Sequence, residues 1–489
     1  MSEKCTYLPT IGLEIHVALA TESKMFCGCS TEFGAAPNTH VCPVCLGLPG
    51  SLPVVNAKAL ELGIMCARAL GSQIRPRTYF ERKNYHYPDL PKGYQISQYA
   101  VPLAVGGELV LDRPDGEERR IRIIRVHLEE DAGKSTHSTT TGRTQLDFNR
   151  CGIPLAEIVT EPDIVSAAEA REFLEELRSV LRTTGISEVR MEEGELRCDV
   201  NFSLCREGNA KGPDHTEISE VKNLNSFRSV ERALQFEERR HREALDAGDT
   251  LSHETRHWDE DRGVTYSARS KEEAQDYRYF PEPDLPPVVI DPELADYLAA
   301  QIPELPRERR KRFREEYGLS PYDAEVLVSQ PDLADFFERT VAMGAPPKDT
   351  ANWILGDISA YLNAEKVSIG EAPVGPEHLE DLLSLIDGGE ISGKMAKEVW
   401  EETMREGARP SDVVEKRGLR QISDESTLET IVAEVIRENP KAAEDYRSGK
   451  DKALGYLVGQ VMKKTRGQAN PAVANEKLRD MLRDGGGAV

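Results

Sequence analysis

Long hydrophobic runs are missing from this sequence, and aromatic residues make up only 6% of it. No apolar stretch is long enough for a membrane-spanning helix. The start, Met1-Ser-Glu-Lys-Cys5, has no basic segment followed by an apolar core, so we expect no signal peptide and a cytoplasmic protein. The 489 residues leave room for roughly two to four domains, each with its own core.

Several nucleotide-binding and nucleophile motifs are also missing. Ala132-Gly-Lys-Ser-Thr136 resembles the end of a P-loop, but that motif requires glycine where this chain has Leu128. No GxGxxG turn follows a strand-like run, and no serine or cysteine lies in a nucleophile elbow. We therefore expect neither a Walker nor a Rossmann nucleotide site, and no release of ammonia from glutamine by this chain itself.

Positive charge is in the minority. The net charge is −23, which opposes sequence-independent binding of DNA or RNA. Residues 441–489 differ, because they hold ten Lys or Arg against six Asp or Glu. This tail is either an ordinary solvated helical segment or a nucleic-acid contact, and charge alone favours the solvated segment.

Cysteine is scarce but clustered. Cys27 and Cys29 are followed after twelve residues by Cys42 and Cys45, and two such pairs can supply four thiolates to a tetrahedral zinc ion. Four sulfur ligands leave no open position for water, so this zinc would be structural. Disulfides or unrelated thiols are the alternatives. The other cysteines are Cys5, Cys66, Cys151, Cys198 and Cys205. In a reduced protein we expect the last four to be small buried hydrophobic residues.

Local patterns predict the elements of the first part of the chain. Alternating polar and apolar residues predict strands at 121–127 and 197–204. An apolar stripe predicts a helix at 166–183, with Ser166 as its N-cap and Glu169 three residues on, as in a capping box. Residues 226–247 are predicted to form a second, heavily charged helix.

Helical patterns dominate after Pro292, where strand-like patterns almost vanish. The proline-rich segment 280–287 just before this change is expected to be an ordered exit loop, neither helix nor strand. We therefore predict an α+β protein with domains at 1–292, 293–410 and 411–489.

Acidic residues recur beside apolar ones in strand-like segments. Glu14-Ile15-His16 would place a carboxylate and an imidazole on one face of a strand. With Glu130 and Glu157 they would form an oxygen-rich site that suits magnesium, which keeps several waters and also binds substrate phosphate. The alternative is an exposed strand face with solvated acids.

Residues 79–99 combine five tyrosines with basic side chains and two prolines. Arg82, Lys83 and Lys92 could hold phosphate, and the tyrosines could stack on a base or a ribose. The alternative is a surface loop pinned by its aromatic residues. We favour a functional segment, because packing explains so many polar groups poorly.

Longer motifs occur in a fixed order along nearly the whole chain. They include Gly12-Leu-Glu-Ile-His16, His127-Leu-Glu-Glu-Asp-Ala-Gly-Lys134 and residues 82–85, 94–98, 147–150, 191–194, 197–201, 222–227, 276–284, 452–460 and 467–471. These motifs closely resemble the B subunits of aspartyl/glutamyl-tRNA amidotransferases, the GatB/GatE family.

The resemblance implies a reaction on Asp or Glu that is already attached to tRNA. The family's B chain would use ATP to phosphorylate the side-chain carboxylate, and ammonia would then displace the phosphate. Phosphate is a far better leaving group than a carboxylate oxygen, and magnesium would neutralise charge on the transferred phosphoryl group. The resemblance also implies a glutamine synthetase-like cradle of antiparallel strands, then a helical domain and a YqeY-like helical tail.

Site residues follow from the same resemblance. The expected magnesium ligands are His16, Glu130 and Glu157, with Glu14 and Glu129 as further catalytic candidates. The phosphate-binding candidates are Lys83, Lys134 and Arg150. The structural zinc ligands are Cys27, Cys29, Cys42 and Cys45, as in zinc-bearing members. The expected contacts to the tRNA backbone are Lys450, Lys452, Lys463, Lys464 and Arg466.

Partners are implied as well. Ammonia is expected from an amidase-type A subunit through a channel, and a small C subunit is expected to wrap both. Whether Asp-tRNA, Glu-tRNA or both are used stays open. Two other functions also stay open: a non-catalytic zinc-containing RNA-binding scaffold, which leaves the acids unused, and a free-standing ligase that takes ammonia without partners.

Overall fold

The computed structural model describes residues 7–113, 116–137, 142–206, 215–270, 277–419, 425–465, 469 and 471–484. The chain forms two compact units, one up to Glu308 and one from Arg309 onward. The first unit mixes strands and helices and the second is helical, so the predicted α+β class is confirmed. None of the described helices is long and apolar enough to cross a membrane.

The first unit contains all the strands of the described chain. They are β1 (Tyr7–Ala18), β2 (Gln73–Ile74), β3 (Arg77–Thr78), β4 (Glu81–Asn84), β5 (Tyr94–Ser97), β6 (Ala104–Val105), β7 (Glu108–Asp112), β8 (Glu118–Glu130), β9 (Lys134–His137), β10 (Thr144–Asp147), β11 (Pro154–Thr160), β12 (Leu196–Arg206), β13 (Ser219–Leu224), β14 (Glu254–Asp259), β15 (Val264–Ser270), β16 (Phe280–Pro281) and β17 (Val288–Val289). Its helices are α1 (Ala57–Ala69), α2 (Ala167–Thr183), α3 (Phe227–Ala247) and α4 (Pro292–Ala300), with a 3₁₀ turn at Met191–Glu193.

One ten-stranded sheet organises this unit. Its order is β15-β14-β13-β12-β1-β11-β8-β6-β2, with β7 paired to β8. All its pairings are antiparallel except that of β13 with β14. Three small sheets join β9 with β10, β16 with β4 and β5, and β3 with β17. The long strands β1, β8, β11 and β12 therefore lie side by side in the middle of the large sheet.

Strand β1 shows how the sheet separates core from site. Ile11, Leu13 and Ile15 are fully buried and belong to the same core cluster as the apolar stripes of α2 and α3. The alternate residues Glu14 and His16 are only half-buried and lie on the opposite face. Because successive side chains alternate between the two faces, one face of β1 packs in the core and the other carries polar side chains.

The predicted helices form with the expected starts. Ser166 caps α2 by accepting a hydrogen bond from the Glu169 N–H, and Ser226 caps α3 in the same way. The capping box is wrong, however. The buried Glu169 carboxylate accepts the N–H of Val165 at 2.7 Å and pairs with Arg113 and Arg119.

The predicted strands at 121–127 and 197–204 lie within β8 and β12. Segment 280–287 is not wholly a loop, because Phe280–Pro281 forms a short strand at the edge of β4. Proline is tolerated at such an edge, where its missing N–H costs no ladder hydrogen bond.

Every element of the second unit in the described chain is helical. These helices are α5 (Pro306–Glu316), which crosses the division after Glu308, α6 (Pro321–Val328), α7 (Pro331–Ala342), α8 (Pro347–Trp353), α9 (Ser359–Glu365), α10 (Pro376–Asp387), α11 (Gly393–Glu406), α12 (Pro410–Arg417), α13 (Glu425–Glu438), α14 (Pro440–Arg447), α15 (Lys452–Lys464) and α16 (Pro471–Asp484). A π turn at Ile354–Ile358 joins α8 to α9. The buried apolar residues form two separate clusters, one within residues 313–414 and one within 428–482.

Candidate functional site

Three strands of the large sheet bring together one histidine and two carboxylates. The His16 Nε2 lies 3.4 Å from Glu129 Oε1 and 3.3 Å from Glu157 Oε2. One ligand atom from each residue lies within 4.8 Å of the others, so the three could hold one metal ion. We call His16, Glu129 and Glu157 the carboxylate–histidine group.

Strand register produces this group. His16 on β1 lies directly opposite Glu157 on β11, and Glu157 lies opposite His127 on β8. Glu129 follows His127 by two residues and therefore points to the same face. The site thus depends on residues that are far apart in sequence but adjacent across the sheet.

His127 is a site residue that the sequence did not single out. Its Nε2 lies 3.1 Å from Glu157 Oε2, and the side chain is almost fully buried. The His127 Nδ1 is buried without a hydrogen-bond partner in the described structure. The two-residue spacing from His127 to Glu129 was the available signal, since it places both side chains on one strand face.

Electrostatic coupling within the group is strong. Burial lowers the pKa of His16, but the hydrogen bond and the charge of Glu157, together with Glu129, outweigh it and raise the pKa to about 9. Burial would raise the pKa of Glu157, yet His127 and His16 hold it well below its usual range. A divalent cation prefers this arrangement of ionised carboxylates, and it would compete with the His16 proton for the same site.

The structure places Glu130 apart from this group, which differs from the sequence expectation. Glu130 follows Glu129 directly on β8, so its side chain turns to the other face. There it pairs with the buried Lys92 and accepts the Ile96 N–H at 2.9 Å. Glu129 takes the place that the sequence assigned to Glu130, and Glu130 instead lines a cavity of about 60 Å³ beside Cys45.

Glu14 lies two residues before His16 on the same face of β1, where it contacts a polar side chain of the neighbouring strand β12. Its Oε1 accepts a hydrogen bond from Asn201 Nδ2 at 3.0 Å. Burial and the nearby Glu157 charge raise the pKa of Glu14. Next to it, Lys222 Nζ lies 2.6 Å from Asp199 Oδ2 on the adjoining strand.

Two arginines pair with Asp131, close to these acids. Arg197 lies opposite His16 on β12, and its Nη2 lies 2.9 Å from Asp131 Oδ1. Arg150 Nε lies 3.4 Å from Asp131 Oδ2, and the same guanidinium donates to the carbonyls of Ala132 and Gly133. Arg197 was not among the predicted site residues, although it begins the 197–201 motif.

The three phosphate-binding candidates occupy different settings. Lys83 Nζ lies 5.0 Å from the centre of the Tyr277 ring, a cation–π contact. Lys134 begins β9 and is exposed, whereas Arg150 is held by the carbonyls of Ala132 and Gly133.

The tyrosine-rich segment is more structural than we expected. Arg82 binds Glu282 through two hydrogen bonds of 2.6 and 2.7 Å, and Lys92 pairs with Glu130. Tyr99 stacks on Tyr279 with ring centres 4.2 Å apart. These contacts join the segment to β8 and to the residues on either side of β16, so two of its three cations form ion pairs within the protein.

The cysteines form a second cluster. One Sγ from each of Cys27, Cys29, Cys42 and Cys45 lies within 4.8 Å of the others, and none is in a disulfide. The Cys42 N–H points to the Cys45 Sγ at 3.1 Å. A hydrogen bond from the Cys27 thiol lowers the pKa of Cys45 to about 5, against the effect of burial, and the Lys24 ammonium acts in the same direction. This donor set suits a tetrahedral zinc ion, and we call it the cysteine group.

Of the other cysteines, Cys66, Cys151, Cys198 and Cys205 are buried, as expected. Cys5 lies outside the described residues.

The tail lysines have unequal surroundings. Lys450 pairs with Asp445, and Lys464 pairs with Glu434 and Glu438, each at 2.7–2.8 Å. Lys452 lines an open groove of about 550 Å³ between α13, α14 and α15. Lys463 lies in the last turn of α15, and Arg466 lies outside the described residues.

Comparisons with known proteins match this sequence to a family. Residues 9–296 match the GatB/GatE catalytic domain, and residues 335–482 match the GatB domain. Similar relatives come from Carboxydothermus hydrogenoformans (52% identity over 97% of this chain and 99% of the relative), Moorella thermoacetica (52%, 97% and 100%) and Persephonella marina (50%, 97% and 99%). Each is named as the B subunit of an aspartyl/glutamyl-tRNA(Asn/Gln) amidotransferase. The chain therefore belongs to the GatB/GatE family of amidotransferase B subunits.

Proposed function

We propose that this chain activates the side-chain carboxylate of tRNA-bound Asp or Glu with ATP and then converts it to the amide. The names of the relatives specify an amidotransferase acting on aspartyl- or glutamyl-tRNA. The carboxylate–histidine group is the single observation that carries the mechanism, because phosphoryl transfer needs a cation held beside the reacting oxygens.

The proposed reaction has two steps. An oxygen of the substrate carboxylate attacks the terminal phosphorus of ATP, and the bond to the bridging oxygen breaks to release ADP. The nitrogen of ammonia then attacks the carbonyl carbon of the acyl phosphate, phosphate leaves with the bonding electrons, and the nitrogen loses a proton. Activation is required, because the carboxylate oxygen itself is a very poor leaving group.

Magnesium fits the carboxylate–histidine group through one imidazole and two carboxylates, and when bound it would offset negative charge on the phosphoryl oxygens. His127, which lies opposite Glu157 on β8, would hold the Glu157 carboxylate in its orientation. Arg197 and Lys222 neutralise the surrounding Asp131 and Asp199, which keeps the site accessible to an anionic substrate.

The remaining assignments follow from position and family. Lys83, Lys134 and Arg150 are proposed to contact the ATP phosphates. The cysteine group is proposed to hold a structural zinc, and a reducing cytoplasm would keep its thiols from oxidation. The tail residues Lys450, Lys452, Lys463, Lys464 and Arg466 are proposed to contact the tRNA backbone, with Lys450 and Lys464 giving up their local ion pairs.

We propose that partner subunits complete the enzyme. This sequence has no recognisable glutaminase nucleophile, so an amidase-type A subunit would release ammonia from glutamine. A small C subunit would contact both larger chains.

Reconstitution tests the proposal. The chain is mixed with its A and C subunits, ATP, magnesium, glutamine and either Asp-tRNA or Glu-tRNA, and the amino acid released from the tRNA is identified. Asn or Gln formed only with ATP is the expected result. If the associated subunits form neither amide, the reaction is wrong and an RNA-binding scaffold becomes the better account.

A further inference from the structure

Lys24 has an unusual environment for a lysine. Its side chain is fully buried, and its Nζ donates to the carbonyls of His40 at 2.7 Å and Phe148 at 3.2 Å. The same Nζ lies 3.9 Å from the Cys45 Sγ. Within the described chain no carboxylate forms an ion pair with it.

A buried ammonium without a negative partner is costly, because two carbonyl dipoles replace only part of its hydration. The Cys45 Sγ, 3.9 Å from the ammonium, would supply an adjacent negative charge as a metal-bound thiolate. Four thiolates around one Zn²⁺ carry a net charge of −2, so a lysine at this position would offset half of it. The burial of Lys24 is therefore explained by a metal-bound tetrathiolate.

The contacts of Lys24 also connect two segments. His40 belongs to the loop between the cysteine pairs, and Phe148 belongs to residues 147–152, which we call the 147–152 turn. Further links join the cysteine-bearing segment to the same turn. The Asn38 side chain accepts the Phe148 N–H at 2.8 Å, the Asn149 side chain accepts the His40 N–H at 2.9 Å, and Cys151 Sγ lies 3.4 Å from the Cys45 carbonyl oxygen.

The 147–152 turn carries Arg150, whose guanidinium holds the Ala132 and Gly133 carbonyls. The Gly152 N–H in turn donates to the Asp131 carbonyl at 2.8 Å. A continuous set of hydrogen bonds thus runs from the cysteine group through Lys24 to the segment between β8 and β9.

We propose that Lys24 is the charge partner of the metal-bound cysteine group and couples metal binding to the position of the 147–152 turn. Lys24 is a positioning residue in this arrangement, since it contacts neither substrate nor the carboxylate–histidine group. The inference rests on the proposed zinc centre and is independent of the amidation reaction.

Zinc release tests the charge partnership. Lys24→Met removes the ammonium and keeps the length of the side chain, and Lys58→Met serves as the control because Lys58 is exposed at the start of α1. Each full-length chain is loaded with zinc and mixed with a chromogenic chelator. We expect release from Lys24→Met about 10- to 100-fold faster than from the wild type or the control, as for other residues that support metal ligands. Equal release rates with both variants folded would overturn the inference.

Amide hydrogen exchange tests the coupling in the unmutated chain, so the result does not depend on how Lys24→Met folds. Zinc removal should speed exchange at the Cys151 and Gly152 amides and leave the middle of α2 unchanged. Unchanged exchange in the turn would contradict the coupling. A wild-type chain that binds no zinc at all would overturn the zinc centre and this inference together, whereas loss of amidation alone would overturn neither.

Discussion

The carboxylate–histidine group and the cysteine group are both sets of metal-binding side chains, but the chain builds them differently. The cysteine group lies within residues 27–45, so its geometry follows from two short turns. The carboxylate–histidine group draws on β1, β8 and β11, and it exists only when these strands pair in one register. A local site is therefore visible in sequence spacing, whereas a site formed by strand register is visible only after folding.

The two groups also differ in chemistry. Four sulfur ligands enclose a metal ion completely, which suits stability. One imidazole and two carboxylates leave several positions for water and phosphate, which suits catalysis. Substitutions in the carboxylate–histidine group should therefore lower activity, whereas substitutions in the cysteine group should lower stability.

The largest effect is expected from Glu157→Gln. The substitution keeps the shape of the side chain but removes the charge that faces His16 and His127. We expect amidation by the reconstituted complex to fall by about 10³-fold or more, because several kcal/mol of charge stabilisation are lost. Binding of Mn²⁺, measured by electron paramagnetic resonance, should weaken in parallel.

Glu175→Gln on the exposed side of α2 is the matched control and should keep full activity. Wild-type amidation by Glu157→Gln would remove the carboxylate–histidine group from the mechanism.

Glu129 and Glu130 provide the sharpest internal comparison, because they are neighbours that face opposite sides of the sheet. Glu129→Gln should weaken Mn²⁺ binding with little change in stability. Glu130→Gln should leave Mn²⁺ binding intact but lower the free energy of unfolding by about 3–5 kcal/mol, since Lys92 would be buried without its partner. Cation titration and urea unfolding measure the two effects, and the reverse pattern would return Glu130 to the cation site.

A smaller effect is expected at the cysteine group. Cys45→Ser should abolish stoichiometric zinc, and the wild type should gain about 3 kcal/mol of stability at a free zinc concentration 100-fold above its Kd. Mn²⁺ binding by the carboxylate–histidine group should persist in Cys45→Ser. Metal analysis and thermal unfolding test this, with Cys66→Ala as a control for a buried cysteine outside the group. Full zinc occupancy in Cys45→Ser would exclude the four-cysteine site.

The smallest effect concerns pH. The folded-state pKa of His16 is raised from 6.5 to about 9, so its contribution to stability is fully present below pH 6.5 and is lost as pH rises towards 9. Without divalent cations we expect a loss of about 1.5 kcal/mol between pH 6.5 and about pH 8. Unfolding of the wild type and of His16→Gln at both pH values measures it, and an equal slope in both proteins would contradict the assignment.

Sequence patterns predicted the features that depend on neighbouring residues. The cap at Ser166, the apolar stripe of α2 and the cysteine group all follow from spacings of a few residues. These spacings act through local geometry, so no knowledge of distant contacts is needed.

Register-dependent features were predicted less well. Glu129 and Glu130 are chemically identical and adjacent, and only their pairing with β11 decides which one faces His16. His127 and Arg197 gained their positions from neighbouring strands in the same way. Arg82 and Lys92 were predicted to bind phosphate because their buried partners, Glu282 and Glu130, are distant in sequence.

The alternation along β1 has a consequence for how the protein can change over evolution. Leu13 and Ile15 affect folding, whereas Glu14 and His16 affect the polar face, although all four are consecutive in the chain. Point substitutions can therefore adjust stability and chemistry independently on a single strand. Inserting or deleting one residue in β1 would exchange the two faces and damage both at once, so this segment should vary by substitution but hold its length.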